Sequence, residues 1–247
     1  MKIVAMGGGE NGREGTSYEV KKFDERVVEL AAKQSPSLLF IAFTQKSAKN
    51  AEGYFSVIKR NFSNLGCKCE HLRECDLQDL KIVKEKIDSA DIIYVGGGNT
   101  LRLMNILRKY KIDKMLKQAG ENGAVLCGIS AGAICWHSFG NSDSRRFTSN
   151  SAKLIKVTGL GFIPALFCPH YDIESARQQD LERMMKTTKG VALAFENHTA
   201  LEINGDRYTV LKSRESAKAW KCYWQKGKYI KKELEKSGST NALTQKN

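Results

Sequence analysis

A serine with a glycine two residues to either side lies in the segment GISAG at 128–132, and this serine is Ser130. The pattern G-x-S-x-G between a strand and a helix is typical of a nucleophile elbow, a tight turn that exposes the serine oxygen at a sheet edge. The apolar run at 124–127 predicts the strand, and the residues from 131 onward predict the helix. Ser130 is therefore a candidate nucleophile. The alternative is a glycine-rich turn whose serine only caps the helix.

A serine nucleophile needs a base, and histidine is the usual one. The four histidines are His71, His137, His170 and His198. His170 follows an apolar run at 161–168, so we expect it at the carboxyl end of a strand, where open α/β sheets place their sites. His137 would lie about two helical turns (~10 Å) beyond the serine. We therefore predict that His170 is the base.

The third member of such a triad is an acid that orients the imidazole. Glu196 follows a predicted strand at 191–195 and should also lie at a sheet edge. Asp143, in the loop after the elbow, is the alternative acid. Asp172 is two residues from His170, which makes it an awkward partner. The residues by themselves leave the choice between these acids open.

Two further glycine clusters follow predicted strands. In GGGNT at 96–100 the backbone N–H groups can face a ligand or an oxyanion, and Asn99 can cap the next helix, although a plain tight turn is the alternative. In GGGENG at 7–12 the letters match the dinucleotide pattern G-x-G-x-x-G. The second predicted strand, however, has no acid at its end to hold a ribose, so we expect no nicotinamide cofactor.

Strand and helix patterns alternate through the first half of the chain. Apolar runs predict strands at 2–6, 37–43, 67–72, 91–95 and 124–127, with helices between them. Runs without polar alternation are buried on both faces, which favours a parallel sheet. Later runs at 191–195, 199–203, 208–211, 220–224 and 229–230 predict antiparallel pairs. We predict an α/β three-layer sandwich with a mostly parallel central sheet, helices on both faces and antiparallel strands towards the C-terminus. It forms a single domain over 1–235, followed by a disordered tail at 236–247.

Composition narrows the class of protein. The 247 residues are 41% hydrophobic and 27% charged, which is ordinary for a globular protein with a sizeable core. No apolar run reaches the roughly 18 residues of a membrane span, and the start of the chain lacks a signal-peptide core. Five of the seven cysteines have no paired-ligand spacing, and the C-x-C of Cys67 and Cys69 lacks the second pair that a zinc site needs, so we expect reduced thiols and no metal. These features predict a cytoplasmic protein without a membrane partner.

The net charge of +13 raises the question of a nucleic-acid partner. The basic residues are spread along the chain, and no nucleic-acid motif accompanies them. We therefore expect a solvated basic surface and no nucleic-acid partner.

Taken together, the motifs resemble the peptidase E family of serine peptidases, also called dipeptidase E or aspartyl dipeptidase. The matching segments are MGGGE near the start, VGGGNT at 95–100, GISAGA at 128–133, PHYD at 169–172 and FENHTALEI at 195–203. They occur in the order of the family and span almost the whole chain. The resemblance implies a fold related to class I glutamine amidotransferases, and removal of short units from the amino end of peptides, often after aspartate, without a metal or cofactor.

The resemblance also assigns roles to residues. It implies Ser130 as nucleophile and His170 as base, with oxyanion donors at the backbone of Gly98 or Gly97 and of Ala131. Either Glu196 or Asp143 would be the acid, and the match around 196–203 favours Glu196. Arg177 would hold a substrate carboxylate, although the segment between His170 and this arginine is shorter than in aspartate-specific members. Asn99, Tyr171 and Asp172 would be the other substrate-binding residues.

The function predicted from the sequence is thus a serine peptidase acting on small peptides, as a monomer or homodimer. Two other classes stay open. One is a non-peptidase hydrolase such as an esterase, although 77 residues follow His170, more than the usual α/β-hydrolase arrangement leaves after its histidine. The other is an amidotransferase-like protein that binds a small molecule without catalysis.

Overall fold

The computed structural model describes residues 1–173 and 175–246. The strands are β1 (Lys2–Met6), β2 (Ser37–Ile41), β3 (Lys68–Leu72), β4 (Ile92–Val95), β5 (Val125–Ile129), β6 (His137–Ser142), β7 (Ile155–Thr158), β8 (Ile163–Cys168), β9 (Ala192–Phe195), β10 (Thr199–Asn204), β11 (Arg207–Lys212), β12 (Ala219–Gln225), β13 (Lys228–Glu233) and β14 (Ser237–Ser239). The helices are α1 (Lys21–Ala31), α2 (Ala48–Ser63), α3 (Leu80–Asp88), α4 (Thr100–Lys109), α5 (Ile112–Glu121), α6 (Ala131–Ile134), α7 (Arg145–Ser149), α8 (Ser175–Lys186) and α9 (Thr240–Thr244).

The larger sheet carries the parallel half of the fold. Its order is β14-β11-β10-β1-β5-β4-β2-β3, and the neighbours from β1 to β3 are all parallel. Strand β10 returns antiparallel to β1, and β11 and β14 continue the antiparallel edge. The predicted α/β class, with parallel strands first and antiparallel strands towards the C-terminus, is confirmed.

The smaller sheet has the order β13-β12-β9-β8-β6-β7. Strand β8 lies parallel to both β6 and β9, whereas β7, β12 and β13 pair antiparallel. The sequence predicted one sheet, so the division of the later strands between two sheets is a feature that only the structure shows. The chain leaves the larger sheet after β5 and enters β6 within eight residues, because α6 is only four residues long.

Helices cover both faces of the larger sheet. On one face, Phe23 and Val27 of α1 and Phe62 of α2 pack on Val4 and Phe40. On the other face, apolar side chains of α3, α4 and α5 pack on the sheet in a cluster that extends to the inner face of the smaller sheet. Helix α8 covers the outer face of that smaller sheet through Leu181 and Met185. The two sheets therefore share one core.

The end of the chain differs from the expected disordered tail at 236–247. Ser237–Ser239 pairs with β11 as β14, and the following helix α9 begins at Thr240, capped by the Ser239 hydroxyl. Leu243 of this helix is 1% exposed and belongs to the main core cluster. A single well-placed leucine anchors a segment whose composition is otherwise polar. Residue 247 lies outside the described residues.

Within residues 1–173 and 175–246, no helix has the length and apolar character needed to cross a membrane.

A buried carboxyl group lies in α1, beneath the loop that follows β1. Asp24 is 0% exposed, and its Oδ2 accepts a hydrogen bond of 2.7 Å from the Tyr18 hydroxyl. Its Oδ1 is buried without a hydrogen-bond partner. Burial raises the pKa of Asp24 from 3.8 to about 7, because the apolar surroundings disfavour the charged form. The folded protein therefore holds a proton that the unfolded chain releases between these two pH values.

We expect Asp24→Asn to stabilise the protein above pH 7 by on the order of 1–4 kcal/mol, with the gain fading as the pH falls towards 4. The folded state binds more protons than the unfolded state in this window, so wild-type stability decreases as the pH rises, and the amide removes that decrease. Urea unfolding at a series of pH values measures the difference. Asp206→Asn, at an exposed turn, is the control. An Asp24→Asn gain that is the same at pH 4 and pH 8 would contradict the assignment.

Candidate active site

Ser130 lies in the turn between β5 and α6, at the carboxyl edge of the parallel strands. Its backbone angles, φ 54° and ψ −109°, are rare for a residue with a side chain and mark local strain. The turn is held by its neighbours: the Ser130 N–H donates to the Met6 carbonyl, and its own carbonyl accepts from the N–H groups of Ala133 and Ile134. The half-buried serine is thus held on a fixed turn at the sheet edge.

The two glycines of the motif allow the backbone to cross closely there. A Cβ on Gly132 would lie 2.0 Å from the carbonyl oxygen of Val95, at the end of β4. A Cβ on Gly128 would lie 2.7 Å from the carbonyl carbon of Gly132. Real Cβ contacts do not come this near, so any larger residue at either position would push the elbow away from β4. The spacing G-x-S-x-G is therefore a packing requirement of this turn.

His170 directly faces the serine. It follows β8, and its Nε2 lies 2.9 Å from the Ser130 Oγ. Its φ of 52° places the residue in the left-handed region, and its N–H donates to the carbonyl of Gly7, after β1. The nucleophile therefore comes from the larger sheet and the base from the smaller one, joined by the segment after β1.

The far side of the imidazole contacts an asparagine. The His170 Nδ1 lies 2.8 Å from Oδ1 of Asn197, in the turn between β9 and β10. The adjacent Glu196, which the sequence favoured as the acid, is turned the other way. Its carboxylate accepts from the Lys218 N–H at 2.8 Å and from the Trp220 Nε1–H at 3.2 Å. The structure thus places an amide where the sequence predicted a carboxylate, because the turn sends neighbouring side chains in different directions.

The two other candidate acids also have definite positions. Asp172 accepts the Asn197 backbone N–H at 2.8 Å with Oδ1, and its Oδ2 lies 3.9 Å from Arg214. It thereby braces the turn that carries the asparagine. Asp143 precedes α7, where its backbone carbonyl accepts the N–H of Arg146. Asp172 was predicted to bind substrate; the structure shows its supporting hydrogen bond to Asn197, and the role in substrate binding stays a prediction.

The glycine loop after β4 lies beside the elbow. A Cβ on Gly97 would come within 3.6 Å of the Ser130 Cβ. The Gly97 N–H already donates to the hydroxyl of Tyr54, at 3.2 Å. In the described part of the chain, the N–H groups of Gly98 and Ala131 donate to no protein acceptor. Gly98 and Ala131, rather than Gly97, are thus left with donors for an oxyanion.

Asn99 and Tyr171, two predicted substrate-binding residues, have structural contacts. The Asn99 Oδ1 accepts the N–H of Arg102 and so caps α4. Tyr171 is 2% exposed and packs with Leu181 beneath α8, and burial raises the pKa of its hydroxyl. Both side chains therefore have a role in the fold, Asn99 as a helix cap and Tyr171 as part of a core cluster.

Arg177 lies on α8 and is 2% exposed. Its Nη1 donates to the carbonyl oxygen of Asn141 at 3.0 Å and to the Oδ1 of the same residue at 3.1 Å. The Asn141 Nδ2 in turn donates to Asp180 at 3.1 Å. The guanidinium predicted to hold a substrate carboxylate is thus engaged in joining α8 to β6.

The other histidines have different surroundings. His137 begins β6 instead of extending the helix after the elbow, stacks on Phe167, and donates from Nδ1 to the Ala133 carbonyl at 2.8 Å. Burial lowers the pKa of His137 to about 4, so it stays neutral near pH 7. His198 lies 3.6 Å from Glu19, and His71 stacks on Phe55. Among residues 1–173 and 175–246, no three His, Cys, Asp or Glu side chains converge as a metal site.

Comparison with known proteins identifies the family to which the chain belongs. A family model described as "Peptidase family S51" matches residues 3–211. An uncharacterized peptidase, YgaJ, of Bacillus subtilis is 30% identical over 229 residues, covering 89% of this chain and 91% of the relative. Peptidase E of Shewanella amazonensis is 29% identical over 144 residues, covering 54% and 59%.

Among solved structures, a peptidase from an acI-B1 Actinobacterium superposes with a TM-score of 0.72 at 20% identity, with 96% of each chain covered. At that identity the superposition shows a shared fold. The resemblance to peptidase E predicted from the motifs is confirmed by the family match, which runs from β1 to β11 and includes both Ser130 and His170. The chain belongs to peptidase family S51 and is therefore a peptidase of the serine type.

Proposed function

We propose that this protein hydrolyses short peptides from their N-terminal end, with Ser130 as the nucleophile and His170 as the general base. The observation that carries the proposal is the 2.9 Å contact between Ser130 Oγ and His170 Nε2, on an elbow strained to φ 54°. A serine hydroxyl is a weak nucleophile until a base within hydrogen-bond reach takes its proton. This geometry supplies that base without any rearrangement.

The reaction follows from the contact. His170 accepts the Ser130 proton as Oγ bonds to the carbonyl carbon of the scissile peptide, which gives a tetrahedral oxyanion. The protonated ring then gives its proton to the departing amine, and an acyl-enzyme forms. A water molecule, deprotonated by the same ring, attacks the ester, and release of the acid restores the serine.

The N–H groups of Gly98 and Ala131 are the proposed oxyanion donors. They flank the serine from two different segments, the loop after β4 and the start of α6. The loop after β4 is fixed by hydrogen bonds, because the Gly97 carbonyl accepts from the hydroxyl of Thr44 at 2.7 Å and from the side-chain amide of Gln45 at 2.9 Å. Donors fixed before the reaction stabilise the developing charge at no cost in reorganisation.

The restriction to short peptides and to the amino end rests on the resemblance to the peptidase E family. For the first residue of the substrate, we propose that aspartate is accepted without being required. Arg177 is the arginine that the resemblance assigns to a substrate carboxylate, and its contacts with Asn141 favour a role in joining α8 to β6. The side chain is 2% exposed and its Nη1 is shared between two oxygens of Asn141, which disfavours a direct role in binding a substrate carboxylate.

Ser130→Ala is expected to abolish hydrolysis of a panel of N-terminally unblocked aminoacyl-p-nitroanilides, Asp, Ala and Leu included, because no other group at the elbow can form the acyl-enzyme. Wild type should also be labelled at Ser130 by a fluorophosphonate, with one adduct by mass spectrometry. Ser138→Ala, on strand β6, is a matched control. Hydrolysis of esters but no amide would point to an esterase. An unlabelled Ser130 together with no hydrolysis would favour a binding protein.

Arg177→Gln is expected to lower the melting temperature and to reduce kcat/KM for all the p-nitroanilides by similar factors. Loss of the contact with Asn141 loosens the packing of α8 on β6, and this effect does not depend on the substrate. Arg207→Gln, the same substitution at an exposed residue of β11, is the control. A loss of more than about 10-fold for the Asp substrate, with Ala and Leu unaffected, would instead assign Arg177 to carboxylate recognition, since tenfold corresponds to about 1.4 kcal/mol.

A further inference from the structure

The imidazole of His170 is held between two side chains. Its Nε2 contacts Ser130 Oγ at 2.9 Å, and its Nδ1 contacts Asn197 Oδ1 at 2.8 Å. In a Ser-His-acid triad the second contact is made by a carboxylate. In this chain the group in that position is a neutral amide.

The backbone around this contact is built to hold it. The Asn197 N–H donates to Asp172 at 2.8 Å, and the next residue, His198, donates its N–H to the Gly8 carbonyl at 3.2 Å. On the other side, the His170 N–H donates to the Gly7 carbonyl at 3.0 Å. The backbone of His170 and the backbone of the residue after Asn197 are thus both bonded to the segment Gly7-Gly8 after β1.

Gly8 lies directly against the contact. A Cβ at this position would lie 2.1 Å from Asn197 Oδ1 and 2.4 Å from His170 Nδ1, so a side chain there would displace one of the two. This glycine is part of the cluster at 7–12 for which the sequence suggested no use once a dinucleotide was excluded. The contact between His170 and Asn197 explains why a residue without a side chain is needed at position 8.

Glu196, the acid next to Asn197, makes its hydrogen bonds away from His170. Both oxygens of Glu196 accept hydrogen bonds, from Lys218 and from Trp220 of β12. Turning the carboxylate towards His170 would leave these two donors without their acceptor. The side-chain amide of the next residue, Asn197, is therefore the group that contacts the imidazole of His170.

We propose, resting on the peptidase function above, that Asn197 is the positioning residue of the catalytic base, and that a neutral side-chain amide does here what the triad carboxylate does in a Ser-His-acid enzyme. Oδ1 accepts the proton on Nδ1, which leaves the lone pair of Nε2 facing the Ser130 hydroxyl. The serine proton then moves to Nε2 while the Nδ1 proton stays where it is. Asn197 fixes the tautomer and orientation of the ring but adds no charge to stabilise the imidazolium.

A carboxylate at this position would add that charge. Asn197→Asp keeps an acceptor near Nδ1 and favours the protonated ring, which raises the pKa of His170. The reaction needs the neutral ring, so the acid limb of kcat/KM should move to higher pH by about one unit. The other charged groups nearby, Asp172, Glu196, Arg214 and the pair His198–Glu19, are the same in both proteins, so the difference reports the substitution.

The experiment compares wild type with Asn197→Asp and Asn197→Ala in two measurements. The first is the pH profile of kcat/KM on the best p-nitroanilide. The second is the titration of the His170 ring by NMR, its signal assigned by its absence in His170→Gln. Asn204→Asp, an exposed site at the end of β10, adds the same charge away from the site and is the control. Melting temperatures identify any variant that does not fold.

We expect Asn197→Asp to move the acid limb and the ring titration upward together, and Asn197→Ala to lower kcat about 10²-fold with little change in KM, as for a misplaced catalytic group. An unchanged ring titration in folded Asn197→Asp would overturn the proposal. So would a folded Asn197→Ala with the kcat of wild type. If wild type hydrolyses no substrate, the proposed function fails, and the NMR titration still decides whether Asn197 holds the ring.

Discussion

The close crossing of the elbow over the end of β4 is the constraint on which the rest of the site depends. Gly132 packs so tightly on the Val95 carbonyl that a Cβ would lie 2.0 Å from it. This contact fixes the strained turn at Ser130, and the turn aims the hydroxyl at the edge of the sheet. The energy of the strained backbone is offset by the surrounding parallel strands, which are buried on both faces. A looser packing would let the serine relax away from its base.

The site lies where the two sheets meet, and this location explains how it is assembled. Strand β5 supplies the nucleophile, whereas the base follows β8 and its amide partner follows β9. The segment Gly7-Gly8 lies between them and accepts backbone hydrogen bonds from His170 and His198. Since both sheets pack on one shared core, the distance between nucleophile and base is set by the packing of the whole molecule, not by one loop.

The polar side chains near the site fall into two groups. Some contact Ser130 or His170, and the others make hydrogen bonds that stabilise the fold. Asn99, Asp172 and Arg177 each make hydrogen bonds that cap a helix, brace a turn or join α8 to β6. Glu196 is engaged with β12. A polar residue within a functional motif is thus not necessarily a participant in the chemistry, because its side chain can be engaged in hydrogen bonds that stabilise the fold.

The sequence by itself determined the α/β class, the family, the elbow and the choice of His170 among four histidines, because strand periodicity and glycine spacing are local properties of the chain. It could not determine that the later strands divide between two sheets, that Leu243 anchors the C-terminal segment, or that Asn197 rather than Glu196 contacts the imidazole. Each of these depends on contacts between residues far apart in the chain. Neighbouring residues in a turn point in different directions, and only the packing of β9 against β12 decides which of the two faces His170.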